Sequence, residues 1–396
     1  MDIGQVRQQF PGLEDKVFLD AACVSLAPRV AVDEITKFLG DAAYCRERSA
    51  TLHHIAMDDS VSKARTEAAR LINANEDEIA LVESTTHGLA VAANALPLAE
   101  GDRVIISDLE FMQVAIPWVQ KGEQCGVKID VVPNHNGEVR INDIERAIGP
   151  KTRLVAISSV QWTNGYRVDL QSLSTLCRDR GIWLVVDAIQ QLGAMPIDVR
   201  KTPVDFLVCG GHKWLNSPFG TGLMYVNGAQ SLRSILKPPI AGYLSVEEPE
   251  GGWGGYFQNP ATTPVTKYAF TSSARRYELG GTTNYPGAIG LAASLGLINQ
   301  LGPDRIAEHI FDLTERLVRG LATLGFELVT PLDPKNRSGI VTFSAGDQHE
   351  NVKLMDRLLD RGILVSVRYT SGVGGIRVAC HFYNSNQDVD ALLNSL

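Results

Sequence analysis

Cysteine is sparse and scattered in this 396-residue chain: Cys23, Cys45, Cys125, Cys177, Cys209 and Cys380 lie far apart with no CxxC pair. Neither a disulfide framework nor a zinc site is legible in that spacing. No stretch approaches the run of about 18 apolar residues that a membrane helix needs. The start, Met1-Asp2-Ile3-Gly4-Gln5-Val6-Arg7, has no apolar core behind a basic cluster. A soluble protein of the reducing cytoplasm, with no membrane partner, is the expectation. Positive charge is also in deficit. The 37 Lys and Arg face 45 Asp and Glu for a net charge of −8, so no general basic surface exists to neutralise nucleic-acid phosphates. No GxGxxG follows the first strand-like runs, which argues against a dinucleotide-binding dehydrogenase.

What is present is ordinary globular composition, 44% hydrophobic and 21% charged, long enough for two domains around a large core. Short apolar, β-branched runs at 78–82, 103–107, 128–132, 153–160, 182–186 and 205–208 alternate with helical patterns such as Val61, Ala64, Ala68, Leu71 and Ile72. That alternation predicts an α/β fold, a mostly parallel sheet with helices on both faces. Between 238 and 284, Pro, Gly, Thr and aromatics concentrate and periodicity fails, which predicts a long surface segment. Beyond it, Ile306, Ile310, Leu313, Leu317, Leu321 and Leu324 form one helical stripe, and strand-like runs follow at 339–344, 363–367 and 375–380. A smaller C-terminal α+β domain is the reading.

The chemistry concentrates at two strand ends, Val186-Asp187-Ala188-Ile189-Gln190 and Gly210-Gly211-His212-Lys213-Trp214. Ligands of open α/β sheets sit beyond the carboxyl ends of the strands, so Asp187 and Lys213 should face one crevice. An acid and an amine there point to pyridoxal phosphate: Lys213 would form the Schiff base, and Asp187 would keep the pyridinium nitrogen protonated. Singly, each has a bland alternative, a helix cap and a solvated amine; together, among glycines, they favour the cofactor site. The phosphate needs donors, and Ser84-Thr85-Thr86-His87-Gly88 lies between a strand and a helical run; the Thr85 backbone and the Thr86 hydroxyl are the candidates.

Together with Phe18-Leu19-Asp20-Ala21-Ala22, Glu110-Phe111, Gly220-Thr221-Gly222, Tyr277-Glu278-Leu279-Gly280-Gly281-Thr282 and Ile376-Arg377-Val378, these motifs resemble, in order, the class V aminotransferases. That superfamily includes cysteine desulfurases, cysteine C–S lyases and isopenicillin N epimerase. The resemblance implies a pyridoxal phosphate-dependent transferase fold of type I. Residues 1–16 would join the small domain, 17–265 would form the large cofactor-binding domain, and 266–396 the small C-terminal domain. It also implies a homodimer with shared active sites and an amino-acid substrate. By the same resemblance Lys213 and Asp187 are catalytic, and Gln190 neighbours the cofactor's phenolic oxygen. His212 and Thr86 hold the phosphate, Thr282 reaches the phosphate of the other subunit, and Arg377 grips the substrate carboxylate.

The sequence also departs from that pattern. Phe111 stands where desulfurases carry a ring-stacking histidine; it can stack but cannot move a proton. Gly210 replaces a phosphate-binding serine. Trp162 takes the place of an asparagine beside the phenolic oxygen, which passes that contact to Gln161 or Asn164, with Gln161 the choice. The stretch 330–376, where desulfurases carry a nucleophilic cysteine on a mobile loop, has none. Cys209 and Cys380 read as core residues, whereas Cys23 lies in a motif that approaches the site. The function expected is therefore β-elimination from a cysteine-like or S-conjugated amino acid, a C–S lyase reaction without a persulfide cysteine. Epimerisation, amine transfer and decarboxylation are the alternatives. A non-catalytic binding subunit would need neither Asp187 nor Lys213.

Overall fold

Strands that are apolar along their whole length have to be covered on both faces, and this requirement organises the computed structural model, which describes residues 2–396. In chain order the strands are β1 (Val17–Phe18), β2 (Ile79–Val82), β3 (Arg103–Ser107), β4 (Lys128–Val132), β5 (Thr152–Ser158), β6 (Trp183–Asp187), β7 (Phe206–Gly210) and β8 (Gly222–Val226). They continue with β9 (Glu327–Leu328), β10 (Ile340–Ser344), β11 (Ile363–Leu364), β12 (Ser366–Thr370) and β13 (Val373–Ala379). Seven of them make the large sheet in the order β2-β8-β7-β6-β5-β3-β4. The sheet is parallel from β4 through β7, and β8 runs antiparallel to both its neighbours.

Successive side chains of a strand point to opposite faces, and the two sides of this sheet accordingly belong to separate cores. Ile105, Val155, Ile157, Leu184, Val186 and Leu207 pack on one side with helices Ala50–Ile72, Leu170–Arg180 and Tyr285–Leu301. Val104, Ile106, Leu154, Ala156, Val185 and Val208 pack on the other with helices Thr85–Ala95 and Met112–Cys125. A third core lies under the four-stranded sheet β12-β13-β10-β9, which is covered by helices Pro303–Thr323, Gln348–Asp360 and Asn386–Leu393.

The six expected strands of the large sheet form within two residues of their expected ends. β8 was not expected, because its run Gly222–Val226 follows a glycine-rich turn and reads as the tail of a loop. The run 363–367 divides into β11, paired in parallel with β1, and β12, an edge strand on β13. Five members of the helical stripe are buried in helix Pro303–Thr323, but Leu324 is its C-cap and 52% exposed. The segment 238–284 runs largely over the surface; it holds one short α-helix, Gly252–Gln258, with no buried residue, and two single 3-10 turns, Tyr243–Ser245 and Ala274–Tyr277, which bury Ser245, Ala274 and Tyr277.

The N-terminal motif serves as a seam between the layers. β1 joins β11, Leu19 packs in the C-terminal core, and Asp20 forms a bridge with Ala379 before the chain turns toward the large sheet. No helix among the described residues is long and apolar enough to cross a membrane.

The Tyr277-Glu278 motif is anchored by a buried ion pair. Arg65 Nε donates to Glu278 Oε1 at 2.9 Å and Nη2 to Oε2 at 2.7 Å, while the Leu81 N–H donates to Oε1 at 2.9 Å. This fixes the start of the Gly280-Gly281-Thr282 turn to β2. Arg65→Ala leaves Glu278 without its cation in a poorly solvated site, and the expected loss is about 3–5 kcal/mol of unfolding free energy. Denaturant unfolding checks it; a change within about 0.5 kcal/mol, the range of an ordinary surface substitution, would show that the pair contributes nothing.

Candidate active site

Because β2, β3, β5, β6 and β7 run in parallel, their carboxyl ends share one edge of the sheet, and Asp187 and Lys213 meet there. Asp187 is the last residue of β6, and Lys213 lies in the turn after β7. They line one cavity of about 280 Å³ together with Cys23, Phe111, Gln113, Ser158, Trp162, Gln190, His212, Arg368 and Arg377. Larger grooves of about 740 and 840 Å³ open elsewhere on the surface, but neither holds an amine facing a buried acid.

Asp187 is 2% exposed. Burial pushes its carboxyl above the usual range, and three groups hold it down: the Ile189 N–H, 2.9 Å from Oδ1, Gln113 Nε2, 3.0 Å from Oδ2, and the Lys213 charge. Lys213 responds in the opposite sense. Burial, reinforced by Arg377, brings its ammonium down to about 8, against the opposing pull of Asp187 and Cys23. An amine in that range is neutral in a sizeable fraction of molecules near physiological pH. Burial, and then the Lys213 charge, lower the His212 pKa, which keeps the imidazole neutral; its ring stacks on Phe219 at 5.6 Å.

The start of helix Thr85–Ala95 supplies an anion cradle. Ser84 caps it by accepting from the His87 N–H at 3.1 Å, which leaves the first-turn N–H groups of Thr85 and Thr86 outside the helical ladder. The hydroxyls are occupied differently from the expectation. Thr85 Oγ1 accepts from the Gly210 N–H at 2.8 Å, and the Thr86 hydroxyl donates to Gln113 Oε1 at 3.1 Å. Gly210 is required at this contact, because a Cβ there would lie 2.9 Å from Thr85 Oγ1. The glycine that replaces the expected serine thus binds the helix start to β7.

Arg377, on β13, is 1% exposed. Its Nη2 donates to Asp20 Oδ1 and its Nη1 to the Trp162 carbonyl, each at 3.0 Å, while Nε is buried without an acceptor. A guanidinium fixed at both outer nitrogens with one free inner donor presents an oriented edge to a carboxylate. Phe111 and Trp162 meet edge to face at 5.1 Å, and the buried Trp162 Nε1 also has no acceptor.

Four candidate residues lie elsewhere or are already committed. Gln161 is fully buried behind the cavity wall, where its Nε2 donates to Glu110 Oε1 at 2.9 Å. Glu110 also accepts from the Ser158 N–H, and burial raises its carboxyl to about 7. Asn164, the other choice, bonds to Gly137 and Tyr166 instead. Gln190 reaches the cavity, but both ends of its amide are used: Nε2 donates to the Ala22 carbonyl at 3.0 Å, and Oε1 accepts from Trp214 Nε1 at 2.9 Å. Thr282 is exposed and lies outside the cavity, with its hydroxyl 3.5 Å from His54 Nε2.

Cavity residues missed in the sequence are Gln113, Ser158 and Arg368. Arg368 Nη2 faces Cys23 Sγ at 3.7 Å, and its Nη1 donates to the Val367 carbonyl. Of these three only Ser158, at the end of an expected strand, carried a positional signal. Cys209 and Cys380 are buried as expected, with burial pushing the Cys380 thiol up to about 12.

A cofactor with an aldehyde, a basic ring nitrogen and a phosphate asks for an amine, an acid and a cluster of N–H donors in one place. The cavity offers the amine and the acid, the N–H donors of Thr85 and Thr86 lie next to it through the Thr86–Gln113 hydrogen bond, and the lining residues Trp162 and Arg377 each carry a buried donor with no acceptor.

Known proteins are similar to this chain over nearly its whole length. A "Probable cysteine desulfurase" of Methanothermobacter thermautotrophicus is 29% identical over 99% of this chain and 96% of its own length. The apo structure of a cysteine desulfurase from Thermococcus onnurineus superposes with a TM-score of 0.85 at 26% identity, covering 99% of this chain and 96% of the other. The cystine C–S lyase C-DES, solved in complex with its reaction product cysteine persulfide, shares the fold with a TM-score of 0.85 at 22% identity over 98% of both chains. The large α/β domain and the small C-terminal layer are thus those of fold-type-I pyridoxal phosphate enzymes. With residues 17–392 matching the profile described as Aminotransferase class-V, the chain belongs to the class-V aminotransferase family.

Proposed function

We propose that this protein is a pyridoxal phosphate-dependent lyase that breaks the C–S bond of a cysteine-like or S-conjugated amino acid by β-elimination, with no persulfide formed on a cysteine of its small domain. The observation that carries this reading is a hairpin. β12 and β13 are joined by Ser371 and Gly372 alone, at φ of +47° and +79°, the left-handed pair of a tight two-residue turn. The Ser371 hydroxyl donates to the Asp108 carbonyl at 2.8 Å, which ties the tip of the hairpin to the large sheet. A connection this short has no reach to bring a nucleophile to the cavity, and 330–376 contains no cysteine.

Pyridoxal phosphate, when bound, provides a sink for the electron pair left as a bond at the substrate's α-carbon breaks. The protein's residues do the rest. Asp187 holds the proton of the ring nitrogen. Lys213 would hold the cofactor through its aldehyde, and its free amine would take the α-proton of the substrate and return a proton to the departing sulfur. Phe111 provides a face for the ring but no proton, so Lys213 carries the proton transfer alone. The N–H groups of Thr85 and Thr86, with neutral His212, hold the phosphate. Trp162 Nε1 takes the role first given to Gln161, whose own donor is occupied by Glu110. Arg377 orients the substrate carboxylate. Thr282, exposed beside a groove lined by His54, is assigned to the phosphate of a second copy, and with it the homodimer. The balance of the reaction is thioether amino acid plus water giving thiol, pyruvate and ammonia.

Products decide the reading. With L-cysteine or an S-conjugate, the loaded protein should release pyruvate and ammonia in equal amounts; alanine, with sulfur left on the protein by mass spectrometry, would overturn it. Lys213 accepts a proton only as the free amine, and its ammonium loses its proton near pH 8. Below that value kcat should therefore fall about tenfold per pH unit, with a plateau above it. A profile flat between pH 6 and 9 removes Lys213 as the base. Arg377→Ala should raise KM about a hundredfold with a smaller effect on kcat, the size expected when one partner of a buried charged contact is lost. An unchanged KM would place the carboxylate elsewhere.

A further inference from the structure

Gln113 reaches into the cavity from the first turn of helix Met112–Cys125, and among the described residues it is the one side chain hydrogen-bonded to both Asp187 and Thr86. Its Nε2 donates to Asp187 Oδ2 at 3.0 Å, and its Oε1 accepts from the Thr86 hydroxyl at 3.1 Å. Three separate elements converge on this amide: the end of β6, the start of the helix after β2, and the start of the helix after β3.

We propose that Gln113 is a positioning residue, whose amide holds the Asp187 carboxylate toward the cavity and is itself fixed end for end by Asp187 and Thr86. The chemistry of the amide dictates the orientation. Reversed, it would set its carbonyl oxygen against a carboxylate oxygen, two acceptors with no hydrogen between them. In the observed orientation every group is matched. Each Asp187 oxygen accepts one N–H, from Ile189 at Oδ1 and from Gln113 at Oδ2, and keeps a lone pair for a ring N–H. The Thr86 hydroxyl has a single hydrogen, and Gln113 takes it. Thr86 therefore contributes its backbone N–H to the phosphate cradle, while its hydroxyl steadies the acid at the opposite end of the site. The other titratable groups around Asp187 are Lys213 and Cys209 on the β7 side and Glu110 on the β3 side. None of them donates a hydrogen bond to its oxygens, so the neutral amide of Gln113 has no substitute.

The proposal rests on the cofactor reading above, and its test is chosen to separate the two. Gln113→Met keeps the length and helix propensity of the side chain and removes both contacts. Carboxyl-¹³C NMR of aspartate-labelled, cofactor-free protein reads Asp187 directly, and its titration midpoint should move upward in Gln113→Met and, by less, in Thr86→Val. Thr86→Ser should restore the wild-type midpoint. Equilibrium titration with pyridoxal phosphate should show about tenfold weaker binding in Gln113→Met, the lower end of what a hydrogen bond to a charged group contributes. An unmoved Asp187 midpoint overturns the proposal, as does a Thr86→Ser variant that behaves like Thr86→Val. If the midpoint moves in the cofactor-free protein while the wild type binds no pyridoxal phosphate, the positioning role stands and the cofactor reading falls. Wild-type affinity in Gln113→Met gives the converse.

Discussion

An ionised carboxylate removed from water is stable only where fixed donors and a cation replace its hydration, and Asp187 is the group on which that constraint falls here. Two N–H donors on its oxygens and the Lys213 charge across the cavity meet it in part, and burial still leaves the carboxyl above its usual range. The same enclosure acts in reverse on Lys213, because burial and Arg377 disfavour its ammonium more than Asp187 supports it. Burial thus disfavours the charge on both partners, raising the acid and lowering the amine, and the donors on Asp187 offset part of its cost. In the proposed reaction this pairing suits a site that would hold a ring proton in one place and remove a substrate proton in another.

Such a pair exists only if two strand ends and several loops from distant parts of the chain are held in register, and the N-terminal motif does much of this holding. Asp20 accepts from Arg377 and from the Ser366 hydroxyl, each at 3.0 Å, joining the motif to the small sheet. Two residues further on, the Ala22 carbonyl accepts from Gln190, whose other end takes the N–H of Trp214 beside Lys213. The Ser25 N–H donates to the His212 carbonyl at 2.9 Å. A segment of a few residues thus fixes Arg377, the wall next to Asp187 and the lysine turn to one another. Gln190 contributes to the site through this bracing, and a direct contact to the ring would require one of its two bonds to break.

The fold was largely legible because the large sheet writes itself as apolar runs, and the acid–amine pair was legible because both residues sit at strand ends whose direction is set by the parallel topology. What escaped was set by side-chain direction. Gln113 is two residues beyond Phe111 at the start of a helix, and nothing in the order Phe111-Met112-Gln113 tells which of the three turns inward; Met112 is 64% exposed while Gln113 meets Asp187. Gln161 and Trp162 pose the same problem. Spacing identified the position, but the buried Glu110 carboxyl captures the amide of Gln161 and leaves the indole on the cavity side. β8 was hidden for a different reason, since the glycines that let its neighbouring turn pack closely also mask the run that follows.

The small domain then bears on which reaction the site performs. A loop able to bring a thiol to the substrate needs length and freedom, and the connection at Ser371 and Gly372 has neither, being two residues long and bonded at its tip to Asp108. The thiol that the cavity does contain, Cys23, belongs to the N-terminal seam rather than to a mobile segment, and Arg368 stands 3.7 Å from its sulfur. In the proposed reaction the displaced sulfur therefore departs as a free thiol through the cavity mouth. In that proposed reaction, rigidity at the hairpin and a phenylalanine at position 111 lead to the same arrangement, in which a single buried amine would handle every proton at the α-carbon and the surrounding residues would hold it, its acid partner and the substrate carboxylate in fixed relation.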